Sequence, residues 1–423
     1  MKILVIGSGG REHALCHKFR QSKHVSKIYC ANGNAGIAEI AELVDISPTD
    51  VVLLADFAER SAIDLTFVGG ETSLAQGVVD EFEKRGLKIV GPKKNAARLE
   101  SSKSFAKDFM KRHHIPTAEF KTAYSANEAM DVLKSGIFGG ENTPVVIKAD
   151  GLAAGKGVVV AANRDEAMEA IEGLESAVGK DAVAQIVVEE CLVGREVSLI
   201  MFADGKHFSL MPPARDHKRI GENDTGLNTG GMGVITDGKL LSPDQVAEIT
   251  ENIILPTLEG AEKEGFPFSG ILFLGLMMTQ NGAMVLEYNV RFGDPETQAI
   301  LVRLENDLVD VCEAILDRSL DKLLIEWKEG SSACVVLASE GYPQNARTGD
   351  VIHGLEAANI QEEVTIFHAG TAKNEQGEFV TNGGRVLGVT STARNLNGAI
   401  HRAYKAVNQI DWQGVQFRRD IGK

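Results

Sequence analysis

Val285-Leu286-Glu287-Tyr288-Asn289-Val290-Arg291-Phe292-Gly293-Asp294-Pro295-Glu296-Thr297 is the stretch on which the rest of the chain turns. A short apolar strand, residues 283–286, delivers two oxygen-bearing side chains, Glu287 and Asn289. Residues two apart on a strand point to one face, and Arg291 continues that face. Gly293 and Pro295 then break the strand into a turn. A carboxylate beside an amide oxygen suits Mg²⁺, which takes hard oxygen ligands and shares them with nucleotide phosphates. The arginine suits a phosphate or a carboxylate. A solvated edge strand would show the same Glu-x-Asn pattern, so the neighbouring segments decide between the two.

Upstream, residues 270–278 read as a strand that pairs with 283–286 through the turn Gln280-Asn281-Gly282. A helix is expected near 244–264. Before it, the polar knot Pro213-Ala214-Arg215-Asp216-His217-Lys218-Arg219 leads to Asn228-Thr229-Gly230-Gly231-Met232-Gly233. A segment so rich in charge and glycine builds a poor core and reads as a functional loop. Residues 144–160 read as two strands joined by Gly151-Leu152-Ala153-Ala154-Gly155-Lys156-Gly157, with Lys148 on the first strand. Gly155 and Gly157 let backbone approach a polyphosphate, and Lys148 and Lys156 supply charge. Residues 186–192 form a buried strand ending in Glu189 and Glu190, and 194–200 begin the next. A backbone edge, an apolar wall and an acid are what adenine and ribose need, so Glu189, Glu190, Leu192 and Glu196 are candidates.

The chain opens with strand 2–6, the turn Gly7-Ser8-Gly9-Gly10-Arg11-Glu12-His13, and a helix over 14–20. Amides at a helix start face an anion. A dinucleotide fingerprint needs a third glycine where Glu12 stands, and an acid after strand 27–30, where Ala31-Asn32-Gly33 follows. This disfavours NAD, while Arg11 and His13 favour a phosphorylated substrate. Strand 65–68 ends at Gly69-Gly70-Glu71, which places Glu71 at a carboxyl end where ligands sit. Helix 74–85, strand 87–90 and helix 96–113, with Lys103 on its first turns, come next. Beyond Trp327, strands over 333–338, 364–368, 385–390 and 415–420 and a helix over 395–407 make a small α+β domain, expected to pack on the first domain.

The length of 423 residues allows about three domains. A net charge of −15 argues against a general nucleic-acid or membrane-surface role. The five cysteines are scattered, with no Cys-x-x-Cys pair, and suggest neither disulfides nor zinc. No apolar run is long enough for a signal peptide or a membrane span, so a soluble cytoplasmic protein is expected.

In order, these motifs resemble the glycinamide ribonucleotide synthetase family of the ATP-grasp superfamily. The resemblance rests on Gly-Ser-Gly-Gly-Arg-Glu-His at 7–13, Lys-Ala-Asp-Gly-Leu-Ala-Ala-Gly-Lys-Gly-Val at 148–158 and Asp-His-Lys-Arg at 216–219. It extends through Asn-Thr-Gly-Gly-Met-Gly at 228–233, Arg-Phe-Gly-Asp-Pro-Glu-Thr-Gln at 291–298, Gly-Gly-Arg-Val-Leu at 383–387 and Arg-Arg-Asp-Ile-Gly at 418–422. Gly70 and Arg215 depart from the family's usual Pro and Gln.

The resemblance implies a Rossmann-like parallel α/β domain at 1–101 and an ATP-grasp domain at 102–325 with a mobile lid near 116–190. A small α+β domain would occupy 326–423. It implies the joining of glycine to 5-phosphoribosylamine with ATP and Mg²⁺ or Mn²⁺, through a glycyl phosphate, without nucleic acid or membrane, by a monomer or weak dimer. Glu287 and Asn289 would hold the metal. Lys103, Lys148, Gly155, Lys156, Gly157, Glu189, Glu190, Leu192 and Glu196 would hold ATP. Gly9, Gly10, Glu71, Asp216, Lys218, Asn228, Thr229, Gly230, Gly231, Arg291, Gly293 and Asp294 would hold substrates, with Arg291, Asp216 and Lys148 acting in catalysis. Another carboxylate–amine ligase, a nucleotide sensor and an NAD dehydrogenase are the competing readings.

Overall fold

The computed structural model describes residues 1–151, 157–179 and 184–423. The first hundred residues form a five-stranded parallel sheet ordered Glu42–Val44, Lys27–Asn32, Lys2–Gly7, Leu65–Val68, Ile89–Val90. Its central strands are continuous apolar runs because helices cover both faces. The order reverses beside Lys2–Gly7, so the ligand crevice lies beyond Gly7 and Val68.

Residues 120–190 build a separate four-stranded antiparallel sheet in the order Phe120–Ala123, Ile186–Glu190, Val145–Ala149, Val158–Ala161. Helices Ala126–Lys134 and Arg164–Val178 cover it. Its core is a small cluster of its own around Val145, Ile147, Leu133 and Ile171.

A nine-stranded antiparallel sheet forms the body. Its path runs Gly282–Asn289, Ser269–Thr279, Arg195–Asp204, Ala214–Asp216, Gly233–Thr236, Ser331–Ala338, Arg385–Ala393, Val364–His368, with Phe208–Leu210 on one side. The C-terminal strands therefore extend the sheet that carries Glu287 while also meeting the first domain, where helix Gly10–Arg20 touches strand Val364–His368. The expected packing on the first domain is present, and the strands extend the main sheet in addition.

Other expectations are corrected. Helix 74–85 is two helices, Glu71–Gln76 and Val78–Lys84, because Gly77 sits at φ +87°. Helix 96–113 divides into Lys94–Ser101 and Lys103–Arg112, because Ser102 is extended and its hydroxyl caps the second helix by accepting from Phe105 N–H. The segment 213–233 is no open loop: it holds Ala214–Asp216 within the main sheet and the hairpin Arg219–Gly221/Thr225–Asn228. Residues 415–420 form no strand: among the described residues their one β-bridge joins Gln416 to Ala338, and side chains make further contacts.

Candidate active site

Strand Gly282–Asn289 pairs with Ser269–Thr279 across the tight turn, with a bulge at Leu286: Val285 faces Leu276, whereas Glu287 faces Gly275. Tyr288 turns inward and its hydroxyl meets Thr257 Oγ1 at 2.8 Å. Glu287 and Asn289 consequently face the cleft, and the Glu287 side chain keeps 40% of its surface exposed. The carbonyl of bulged Leu286 accepts from Lys148 Nζ at 3.1 Å.

Cations converge on this strand end. Lys103, at the start of its helix, donates to Gly151 O at 2.9 Å. Lys218 Nζ lies 3.3 Å from Glu196 and 3.9 Å from Glu287. Lys148 shares one oxygen of Glu189 with Lys107, at 2.9 and 3.0 Å. Glu189 Oε1 is buried with no hydrogen-bond partner among the described residues. Burial pushes the Glu287 carboxyl pKa up, but Lys218, Lys148, Lys103 and Arg291 outweigh it and hold the group below its usual range. For Lys218, burial opposes the charge while Glu287, Glu196, Asp216 and Glu296 together raise its pKa.

Arg291 forms the next part of the wall. Its guanidinium meets Glu71 at 3.2 Å and Glu100 at 2.9 Å, and donates to Asn289 Oδ1 at 3.2 Å. Glu100 also accepts from Val290 N–H at 2.7 Å, fixing the backbone beside the strand end. Glu71 is held at a pKa of about 2: burial raises it, but Arg291 and Arg11 more than compensate. Arg11 Nη1 donates to Phe292 O at 3.0 Å, so the turn after the strand caps the crevice of the parallel sheet.

Gly9 N–H donates to Glu12 Oε2 at 2.6 Å. Glu12 is buried between the two strand ends, and a Cβ at Gly69 would fall 2.1 Å from its Oε1. The glycine corner thus holds an internal carboxylate where a dinucleotide phosphate would sit, which explains the missing third glycine. His13 does not face the crevice, so the expectation of a phosphorylated substrate draws no support from it. His13 is buried against Phe367, accepts from His368 N–H at 2.8 Å, and is pushed by burial and by His368 and His17 down to a pKa of about 3. It is neutral and belongs to the interdomain core.

The polar knot closes the cleft from the other side. Gly231, at φ +109°, packs where a Cβ would lie 2.6 Å from Asp216 Oδ1 and 2.7 Å from Pro295. Burial and nearby Glu296 raise the Asp216 carboxyl well above its usual range. Thr229 N–H and Oγ1 both donate to Lys218 O, at 2.7 and 2.8 Å, and Asn228 pairs with Arg219. Gly230 N–H donates to Tyr342 Oη at 3.1 Å, and Arg385 donates to Gly230 O and Asp294 O. Asp294 also faces Arg385 Nη2 at 3.3 Å and accepts from Gln298 at 2.8 Å. Arg215 turns away from Asp216 and donates to Lys423 O at 2.6 Å, so this departure does not reach the cleft.

The contacts fall into four groups around the cleft: Glu71, Arg291 and Asn289; Glu196, Lys218, Glu287 and Thr229; Lys148 and Glu189; and Gly230 and Asp294 through Arg385. Gly9 lies where a Cβ would be 3.0 Å from Asp294 Oδ2, Gly10 lies against Gln298, and Gly293 against Glu296. Glu190 is engaged elsewhere, accepting from Glu119 N–H at 3.0 Å, and Leu192 is partly exposed in the connection that follows. Gly157 O accepts from Ala149 N–H. Gly155 and Lys156 lie outside the described residues. Sequence reasoning missed Glu100, Glu296, Lys107 and Tyr342, and flagged Arg385 only as a C-terminal motif. Only Glu296 carried a local signal, two residues after Asp294.

Comparison with known proteins agrees with this arrangement. Family models described as phosphoribosylglycinamide synthetase match the chain in three parts: the N domain at residues 1–100, the ATP-grasp (A) domain at 101–297 and the C domain at 332–423. The phosphoribosylamine–glycine ligase of Haemophilus influenzae is 47% identical across 100% of this chain and 98% of its own length. That of Brucella melitensis is 46% identical across 100% and 97%. The crystal structure of phosphoribosylamine–glycine ligase from Thermotoga maritima superposes with a TM-score of 0.84 at 33% identity, covering 100% of both chains. A biotin carboxylase domain from Hydrogenobacter thermophilus shares the fold at 17% identity, with a TM-score of 0.71 over 98% of this chain and 91% of its own. With its full length matched and its cleft built from those same three parts, the chain belongs to the phosphoribosylglycinamide synthetase family.

Proposed function

We propose that this chain joins glycine to 5-phosphoribosylamine, converting ATP to ADP and phosphate and giving glycinamide ribonucleotide. The observation that carries the reading is the strand end at Glu287 and Asn289, with Lys103, Lys148, Lys218 and Arg291 gathered around it. Phosphoryl transfer is mostly positioning and charge neutralisation, and this arrangement supplies both.

Glu287 and Asn289 fit a hard divalent cation: one exposed carboxylate held ionised and, on the same face, one amide oxygen that also accepts from Arg291. Mg²⁺ or Mn²⁺ held there would neutralise charge on the ATP phosphates. Lys103 and Lys148 bind those phosphates. Glu189 and Lys107 keep Lys148 in place, while Leu192 and Glu196 face adenine and ribose.

Asp216, the loop 228–231 and Arg291 position glycine so that its carboxylate attacks the γ-phosphate. The product is glycyl phosphate, whose carbonyl carbon then takes the amine of phosphoribosylamine as phosphate leaves. Gly9, Gly10, Glu71, Gly293 and Asp294, at the mouth of the parallel sheet, hold phosphoribosylamine. Residues 1–101, 102–325 and 326–423 act as the three domains, with 116–190 as the lid. No helix among the described residues is long and apolar enough to cross a membrane, and we assign the chain to the cytoplasm as a monomer or weak dimer.

The test is ADP release with Mg-ATP, omitting glycine and phosphoribosylamine in turn. Release that needs both supports the reading. Release with another acid–amine pair, but not this one, overturns the substrate assignment.

A further inference from the structure

Residues 418–423 grip the segment that carries Asp216 and Lys218. Arg418 is among the largest fully buried side chains of the molecule. Its guanidinium makes a two-pronged pair with Asp420, Nε to Oδ1 and Nη2 to Oδ2, each at 2.8 Å. Its Nη1 reaches Asp224 Oδ1 at 2.7 Å and Arg219 O at 3.1 Å.

The backbone of the hairpin is held as well. Asn223 N–H donates to Asp420 Oδ2 at 2.7 Å, and Glu222 Oε1 accepts from Arg419 N–H at 3.1 Å. Gly422 N–H donates to His217 Nε2 at 3.1 Å, which leaves the Nδ1 proton for Gly233 O at 3.2 Å. Tyr404 ties the tail to its own helix, donating to Arg418 O and accepting from Ile421 N–H.

The gripped turn is strained. Asn223 and Asp224 stand at φ +56° and +54°, successive non-glycine residues in left-handed conformation. Such residues persist only where their surroundings hold them. The tail contacts Asn223 N–H and Asp224 Oδ1 directly. The hairpin's two strands begin and end at Arg219 and Asn228, next to Lys218 and Thr229 in the cleft.

We infer that Arg418, locked by Asp420, is a positioning residue: it holds the strained 222–224 turn and through it sets Asp216, Lys218 and Asn228 for glycine. The inference rests on the assignment of Asp216 and its loop to the glycine site. Lysine cannot replace the planar two-pronged pair, and sub-ångström shifts at a binding site are felt strongly.

The experiment compares Arg418→Lys, Asp224→Ala and Asp216→Asn in the full chain. Asp224 is 70% exposed, so its variant folds even where Arg418→Lys does not. Thermal unfolding identifies the folded variants, and KM is measured separately for glycine and ATP. Arg418→Lys is expected to raise the glycine KM about tenfold or more, and Asp224→Ala about threefold, with the ATP KM within about twofold of wild type. Folded variants that shift both KM values alike, or neither, overturn the inference. If Asp216→Asn raises the glycine KM while the Arg418 and Asp224 variants do not, the clamp is wrong and the glycine site stands. If Asp216→Asn leaves the glycine KM unchanged, the glycine site itself is wrong and the inference falls with it.

Discussion

Replacing Glu189 with glutamine removes one buried negative charge from between two lysines and keeps the side-chain volume. The side chains of Glu189, Lys107 and Lys148 are 2%, 3% and 8% exposed. Removing one partner of a buried ion pair costs about 3–5 kcal/mol, because the remaining charge is left without compensation. Here two ammonium groups lose the same oxygen. Burial already pushes Lys107 down to a pKa of about 8 against the pull of Glu189, and losing that negative charge lowers it further, so Lys107 can shed its proton in the variant. That relief limits the expected loss to about 3 kcal/mol, toward the lower end of the range.

Among the described residues Lys148 keeps the Leu286 carbonyl as its fixed partner in this variant, so the ATP KM should rise together with the loss of stability. Urea unfolding followed by circular dichroism measures the first effect, and initial rates against ATP measure the second. A variant within about 0.5 kcal/mol of wild type, the range of ordinary surface substitutions, with an unchanged ATP KM would refute the view that Glu189 organises the phosphate-binding lysine.

Other outcomes follow from the same geometry. Glu287→Gln should fold normally yet lose about 10²-fold or more in kcat, the scale of losing one placed charge in a phosphoryl-transfer site; near-normal turnover would remove the metal assignment. Arg385→Ala takes the guanidinium from Gly230 O and Asp294, and should lower kcat/KM by about 10²-fold; a loss under threefold would show that the C-terminal strands do not shape the cleft. His13 is neutral when folded, with a pKa of about 3, but takes up a proton near pH 6.5 when unfolded. Its contribution is complete above pH 6.5 and shrinks as pH falls toward 3. At pH 5 the loss is about 2 kcal/mol, and His13→Gln should remove that part of the acid dependence of urea unfolding. Equal acid dependence in both proteins would contradict the assignment.

What could be read from the sequence was local. The parallel sheet showed in its βα alternation, and the Glu287–Asn289 face showed in a two-residue spacing beside a tight turn. The breaks at Gly77 and Ser102 depend on one residue each and interrupt otherwise continuous helical patterns. The distant parts of the cleft were hidden because they arise from pairing across the chain. Glu100 reaches Arg291 from 191 positions away, and Arg385 reaches Gly230 across 155. His13 looked like a phosphate ligand beside a glycine turn until strand Val364–His368 covered it. Residues 415–420 have strand composition, but Arg418 and Asp420 point their side chains at the 219–224 hairpin rather than into a ladder.

The most direct measurement of the central claim uses glycine labelled with heavy oxygen in its carboxylate. Attack of that carboxylate on the γ-phosphate of ATP places a labelled oxygen between carbon and phosphorus. Displacement by the amine then breaks the carbon–oxygen bond and leaves the label on phosphate. Mass spectrometry of the released inorganic phosphate should find one labelled oxygen per turnover, and should find no transfer when phosphoribosylamine is omitted. Unlabelled phosphate formed alongside glycinamide ribonucleotide would contradict the glycyl phosphate route and the roles assigned to the residues around it.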